Sequence, residues 1–241
     1  MPIPNIVNLL ECESRKLYME RSLQSLGCDR MRFYTYERFE NSGVEFVGHE
    51  SIVKLVTKGV TSSYLITIKR WLENTDEEIG IFFEDDADFS TVKYWNFTFG
   101  EFLERMGDKW DALHLCSIHE TTPLMFPRKR EIYDHGLQCC VLKRRYASRL
   151  VKYYFRDDEK TIYYKMPGSV PVSTENNILS GFGRVYTFPL FNHNIVEFKS
   201  ENTGGPDHCD PVVNSYHFIK DWWLNVGSRL TLDDIFKNAS L

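Results

Sequence analysis

The sequence contains no CxxC pair, no zinc-finger spacing and no apolar run near the ~20 residues that a membrane-crossing helix needs. It has no GKS or GKT step behind a glycine-rich loop, which argues against a P-loop kinase. Positive charge is not in excess: the formal net charge is −5, where a nucleic-acid-binding chain would show a basic face. No apolar leader-like stretch precedes Asn5. The six cysteines, Cys12, Cys28, Cys116, Cys139, Cys140 and Cys209, follow no pairing pattern and read as free thiols of a reducing compartment. Cys139 and Cys140 are adjacent, so in a strand they point to opposite faces and do not share a metal. These absences together predict a cytoplasmic protein with no membrane span and no nucleic-acid partner. Against them stand 241 residues at 42% hydrophobic and 15% aromatic, enough to bury the core of one large domain or two small ones.

The most informative stretch is Ile79-Gly80-Ile81-Phe82-Phe83, which is brief and rich in β-formers and reads as a buried strand. It runs directly into Glu84-Asp85-Asp86-Ala87-Asp88. Open α/β sheets hold their ligands at this C-terminal end of the strands. Carboxylates so close repel one another, and a divalent cation removes the conflict. Hard oxygen ligands at alternate positions, Asp86 and Asp88, suit Mg²⁺ or Mn²⁺, which would also carry substrate phosphate oxygens. On spacing alone a solvated loop or a helix N-terminal turn explains the acids equally well; the apolar lead-in favours a sheet edge.

Around this stretch the chain alternates strands and helices. Pro4 to Leu10 reads as a first strand. A helix follows, capped by Ser14, with an apolar stripe of Leu17, Met19, Leu23 and Leu26 that stops at Gly27. Met31 to Tyr36 alternates as a second strand, and strand–helix–strand implies a parallel pair with a right-handed crossover. Glu37 to Lys58 shows no assignable pattern. Tyr64, Leu65, Ile68, Trp71 and Leu72 mark an amphipathic helix over Thr61–Asn74. Beyond the acids, Trp95, Phe99, Phe102, Leu103 and Met106 form a core-facing stripe, and Trp110 to Cys116 reads as a strand with His114 packed in it. Residues 117–134 read as a substrate-facing loop, and Tyr153 to Met166 as a loop or hairpin flap. Pro171 to Leu179 begins as a capped helix, and Asn192 to Leu241 is a polar tail that turns amphipathic around Trp222-Trp223.

The Phe83-Glu84-Asp85-Asp86 step after an apolar strand resembles the metal-binding motif of nucleotide-sugar glycosyltransferases of the GT-A fold. More narrowly, it resembles glycosyltransferase family 25, the lipopolysaccharide and collagen galactosyltransferase type. Asn8-Leu9 with Arg15, the Trp110-Asp111 strand, Glu175 after Pro171-Val172 and the Val185–Phe191 strand stand where that family has its own versions. Ser63, Ile66 and Thr67 depart from the family's Cys, Ser and His, and Cys116 replaces a glycine, which marks a distant branch. The resemblance runs from Asn5 to about Phe191 and implies a single-domain, GT-A-like α/β fold with a mixed, mainly parallel central sheet flanked by helices. It implies a catalytic domain over 1–191, with a nucleotide-sugar half of about 1–90 and an acceptor half of about 91–191, and a C-terminal tail over 192–241 packed on it.

The activity so implied is a metal-dependent, inverting transfer of a sugar, galactose in the named enzymes, from a UDP-sugar to a glycan or lipid-linked saccharide such as lipopolysaccharide. Glu175 is the candidate general base, with Asp85 or Asp88 in its place if Glu175 only caps its helix. Asn8, Leu9, Glu11, Glu84 and Asp86 are candidates for the donor nucleotide. Asp86 and Asp88 are the candidate ligands of Mn²⁺ or Mg²⁺, with His208 ahead of His193 as the third. Arg128, Lys129 and Arg130 could add positive charge to the leaving group. Two other classes use the same residues: a GT-A-like binding module without transfer, and a metal-dependent nucleotidyl or phosphoryl transferase.

Overall fold

A mainly parallel sheet follows from the opening strand–helix–strand pattern, because a parallel neighbour needs a crossover helix. The computed structural model describes residues 2–48, 55–119, 122–131, 134–155, 160–164, 183–198 and 210–239. Its strands are β1 (Pro4–Leu9), β2 (Arg32–Tyr36), β3 (Glu45–Gly48), β4 (Ile79–Glu84), β5 (Ala87–Asp88), β6 (Ala112–His114), β7 (Arg128–Lys129), β8 (Cys139–Lys143), β9 (Thr161–Tyr164), β10 (Val185–Thr187) and β11 (Asn192–His193). The α-helices are α1 (Glu13–Ser25), α2 (Leu55–Asn74), α3 (Phe99–Met106), α4 (Arg144–Tyr154), α5 (Asp210–Asn225) and α6 (Leu232–Phe236).

Seven strands form one sheet in the order β2-β1-β4-β8-β6-β10-β7. β1 runs parallel to β2 and β4, and β10 runs parallel to β6 and antiparallel to β7. The mixed α/β architecture expected from the sequence is therefore observed. By contacts the chain falls into two compact units, residues 2–85 with 142–183 and residues 86–141 with 184–241.

In the first unit the entry into β4 is fixed by Trp71. Tyr64, Leu65, Ile68 and Trp71, one face of α2, are fully buried, as their helical spacing predicts. The Trp71 ring meets Phe82 edge-on at 5.6 Å, and a Cβ at Gly80 would lie 2.7 Å from the Phe82 ring and 2.9 Å from the Trp71 ring. Gly80 is thus the gap in β4 into which the indole packs. Trp71 Nε1 donates to Glu77 at 2.9 Å, and Arg32 adds two hydrogen bonds to the same carboxylate at 3.0 and 2.9 Å. Arg144 donates to the Leu72 carbonyl at 2.7 Å, closing the C-terminal turn of α2, and its guanidinium lies 5.5 Å from the Trp71 ring. Truncating so enclosed a tryptophan costs roughly 3–5 kcal/mol.

In the second unit Phe102, Phe188, Trp223 and Phe236 are buried, with Phe188 5.8 Å from Phe102 and 5.9 Å from Trp223, and Phe236 5.9 Å from Phe102. The aromatic stripe of α3 is therefore core. A capping box of Thr98 and Glu101 starts that helix, and Gly107, at φ +63°, ends it.

Several sequence-based expectations about the elements change. α1 begins after Cys12 rather than at Ser14 and buries Arg15, Met19 and Leu23. Leu17 and Leu26 are 42% and 43% exposed, because a buried ion pair draws the Arg15 face inward instead. The unassigned segment before Lys58 holds β3 and the first turn of α2. β9, within the expected flap, pairs in parallel with distant β3, alongside a single antiparallel bridge between Phe155 and Ile162. Arg128, a candidate for the leaving group, is buried and closes as a fork on Asp134. The cysteines Cys12, Cys28, Cys116, Cys139 and Cys140 are free thiols, and burial, followed by its neighbours Cys140 and Cys116, pushes the Cys139 thiol well above the usual range. Among the described residues no helix is long and apolar enough to cross a membrane.

Candidate functional site

The acid run ends β4, and consecutive members of it meet different surroundings. Asp85 closes the first unit and is buried there at 6% exposure. Its Oδ1 accepts from Arg15 Nη1 at 3.0 Å, and its Oδ2 accepts from Asn8 Nδ2 at 2.7 Å and from the Leu9 backbone N–H at 3.4 Å. Asn8 also donates to the Cys12 carbonyl at 3.3 Å, so the β1 end, the α1 start and the β4 end are tied at one carboxylate. Three donors on a buried acid hold it oriented. Asn8 and Leu9, expected at the nucleotide, meet Asp85 here. Glu11, in the same group, is half exposed and pairs with Arg38, whose Nε donates to it at 2.6 Å. Glu84 ends β4 partly buried.

Asp86 opens the second unit. Its Oδ2 lies 3.4 Å from His193 Nε2, both side chains being about nine-tenths buried, and its carbonyl accepts from the Asn194 N–H at 2.8 Å. The next two residues form β5, which pairs antiparallel with β11, Asn192 opposite Asp88 and His193 opposite Ala87. A tight turn follows: Asp88 Oδ1 accepts from the Ser90 N–H at 2.8 Å and its Oδ2 from the Ser90 hydroxyl at 2.7 Å. Thr91 then donates to the Leu190 carbonyl at 2.6 Å. The segment Asp86–Thr91 is therefore bound along its length to residues 190–194.

Helix α5 is fixed to the same ladder. Asn192 Nδ2 donates to the Tyr216 carbonyl at 2.9 Å, and Trp223 Nε1 donates to the Pro189 carbonyl at 3.0 Å. One turn past Tyr216, Lys220 Nζ donates to the Tyr216 hydroxyl at 2.9 Å. That bond raises the Lys220 pKa; burial works against it, and the charges of Tyr216, Asp88 and Tyr94 add to the rise. His114 is fully buried in β6, and burial, followed by the charge of Arg130, lowers its pKa far enough to keep it neutral at pH 7.

A carboxylate beside an imidazole, Asp86 with His193, suits a divalent ion such as Mn²⁺, whose other positions water and phosphate oxygens would fill. Asp88 lies two residues on, in β5, with its oxygens turned onto Ser90. Among the described residues no group of three His, Cys, Asp or Glu side chains has an arrangement that could hold a metal. Glu175 and His208, the expected base and third ligand, lie outside the described residues. His193, second to His208 in the sequence argument, is the histidine found at Asp86. Lys220, Tyr216 and Asn192 were missed altogether; a lysine four residues after a tyrosine in an amphipathic helix carries no signal of its own.

No family model matches the chain, and no curated protein matches it in sequence. Among solved structures it is similar to A197 from STIV, at 11% identity and a TM-score of 0.45, over 80% of this chain and 84% of the other. It is also similar to a glycosyltransferase involved in the glycosylation of the major capsid of PBCV-1, at 12% identity and a TM-score of 0.42, over 78% and 82%.

Proposed function

We propose that this chain is a metal-dependent glycosyltransferase of the cytoplasm that moves a sugar from a UDP-sugar to a glycan or lipid-linked saccharide, with inversion. The observation that carries the reading is the acid turn itself: Asp86 and Asp88 at the end of a central strand, with the His193 imidazole 3.4 Å from Asp86. The family 25 resemblance of the acid motif and the Trp110-Asp111 strand supports it, and makes galactose the first sugar to try. Asp86 and His193 would hold Mn²⁺ or Mg²⁺, with Asp88 and, from outside the described residues, His208 as further candidate donors. A bound divalent ion would neutralise the charge that grows on the departing diphosphate.

The chain's own residues do the rest. The carbon–oxygen bond to the diphosphate breaks with its electron pair going to phosphate, while the acceptor oxygen bonds to the sugar carbon from the opposite face. The acceptor's proton passes to a carboxylate, for which Glu175 remains the candidate. Asp85 suits that task poorly, because its two oxygens already accept from Arg15, Asn8 and Leu9. Its place is rather to hold the strand end from which Asp86 and Asp88 extend.

Calorimetric titration with UDP, with and without Mn²⁺, tests the reading. Metal-dependent binding that Asp86→Ala abolishes and Asp88→Ala weakens is the expected result, followed by turnover with a panel of UDP-sugars. Binding that ignores both substitutions, or no binding of any nucleoside diphosphate, would make the acids a structural turn. Metal-dependent binding without turnover of any sugar would leave a nucleotide-sugar binding module.

A further inference from the structure

We propose that Lys220 is a donor-binding residue whose ammonium takes up the diphosphate of the nucleotide-sugar beside the acid turn. The inference rests on the transferase reading above. Its first support is placement. Asn192, the cross-strand partner of Asp88, holds the Tyr216 carbonyl, and Tyr216 holds Lys220 one helical turn on. The ammonium is thereby carried on a helix that is hydrogen-bonded to the acidic ladder, and the Asp88 carboxylate acts on it electrostatically.

The second support is its partner. Lys220 is half-buried and its Nζ is held by a phenol, over the Tyr216 ring at 5.1 Å from the ring centroid. Among the described residues no carboxylate closes a salt bridge with it, in contrast to Arg128, whose fork is taken by Asp134, and Arg15, which is taken by Asp85. When phosphate oxygens take the place of the phenol, the ammonium bonds to a charged acceptor instead of a neutral one.

The third support is charge balance. Asp86 and Asp88 bring two negative charges to a place where a diphosphate adds about two more, and one divalent ion offsets only half of these. An ammonium on a helix bound to that ladder would supply a further positive charge to the leaving group, without being carried in by the substrate.

The experiment compares wild type, Lys220→Met and Lys220→Arg, titrating each with UDP, inorganic pyrophosphate and uridine in the presence of Mn²⁺. Thermal unfolding in parallel verifies that each variant is folded. For Lys220→Met the expected result is a weakening of UDP and pyrophosphate binding by about 10- to 100-fold, the range of one charge-assisted hydrogen bond. Uridine binding should stay unchanged, and Lys220→Arg should recover most of the loss. Two outcomes overturn the proposal while leaving the transferase reading intact: UDP binds Lys220→Met as tightly as wild type, or uridine is weakened as much as UDP. If wild type itself binds neither UDP nor pyrophosphate, the transferase reading falls and this inference falls with it.

Discussion

Asp85 and Asp86 are joined by one peptide bond and are equally buried, yet they have opposite surroundings. Asp85 is met by a guanidinium, a side-chain amide and a backbone amide, so its charge is matched within the fold. Asp86 is met by an imidazole at 3.4 Å, a partner that carries charge only when protonated. The contrast separates two uses of a buried carboxylate. One organises the chain, and the other is, on the reading proposed above, the one that a metal ion would take. Four neighbouring acids in a sequence are therefore not four equivalent metal ligands, and the first candidate to set aside is the one whose partners are complete.

Breaking the Asp85 side should have the largest effect. Arg15→Ala leaves a buried carboxylate without its cation and should lower stability by about 3–5 kcal/mol, read as a shift of the urea unfolding midpoint. Removing both charges, as Arg15→Met with Asp85→Asn, should return part of that loss, since the penalty lies in the uncompensated charge rather than in the pair. If Arg15→Ala unfolds like wild type, Asp85 is not organising the strand end. On the Asp86 side the expected effect is on binding, not folding. Asp86→Asn should stay within about 1 kcal/mol of wild type in stability, as a near-isosteric change, and lose metal-dependent UDP binding. His193→Ala should weaken Mn²⁺ in the same titration by about tenfold, the lower range for groups that hold or orient a metal ligand. A loss of stability equal to that of Arg15→Ala would erase the distinction between the two acids.

The smallest effect is expected at a third acid, Glu101, which is fully exposed. Hydrogen bonds from the Thr98 backbone N–H, and then from its hydroxyl, lower the Glu101 pKa. Because the folded value is the lower one, the capping box stabilises α3 above the ordinary glutamate pKa, and this is lost as pH falls through the folded-state value. Thr98→Ala should remove that acid-range slope from the unfolding curve and leave UDP binding untouched.

Much of the first unit could be read from the sequence, because its patterns are local. The β1–α1–β2 opening and the Tyr64–Trp71 face announce themselves by period, and the apolar lead-in of β4 marks where the acids begin. The face of α1 is not legible for one reason: a charged residue, Arg15, occupies a core position, and its partner Asp85 lies just past a strand far along the chain. β3 and β9 escaped notice for a related reason, since neither short strand shows its long-range partner in its own residues. At the candidate site, Asp86 and Asp88 were visible as a motif. His193 was visible only as one histidine among several in a polar tail, and Lys220 not at all. Their positions are set by the β5–β11 pairing and by the Asn192–Tyr216 hydrogen bond, which join segments that no periodicity connects.

The β5–β11 ladder also has a consequence for how the protein is made. During synthesis Asp86 and Asp88 leave the ribosome long before Asn192, His193 and Lys220 exist, so the nascent chain carries the acid turn without the strand that pairs with it. Domains generally fold as units, N-terminal portions first, but here the second unit needs residues from both sides of a long excursion through the first. The turn can acquire its partners only after residues 192 and 193 have emerged. A chain that stalls before Asn192 would expose bare carboxylates and an unpaired strand edge, a state for chaperones to shield.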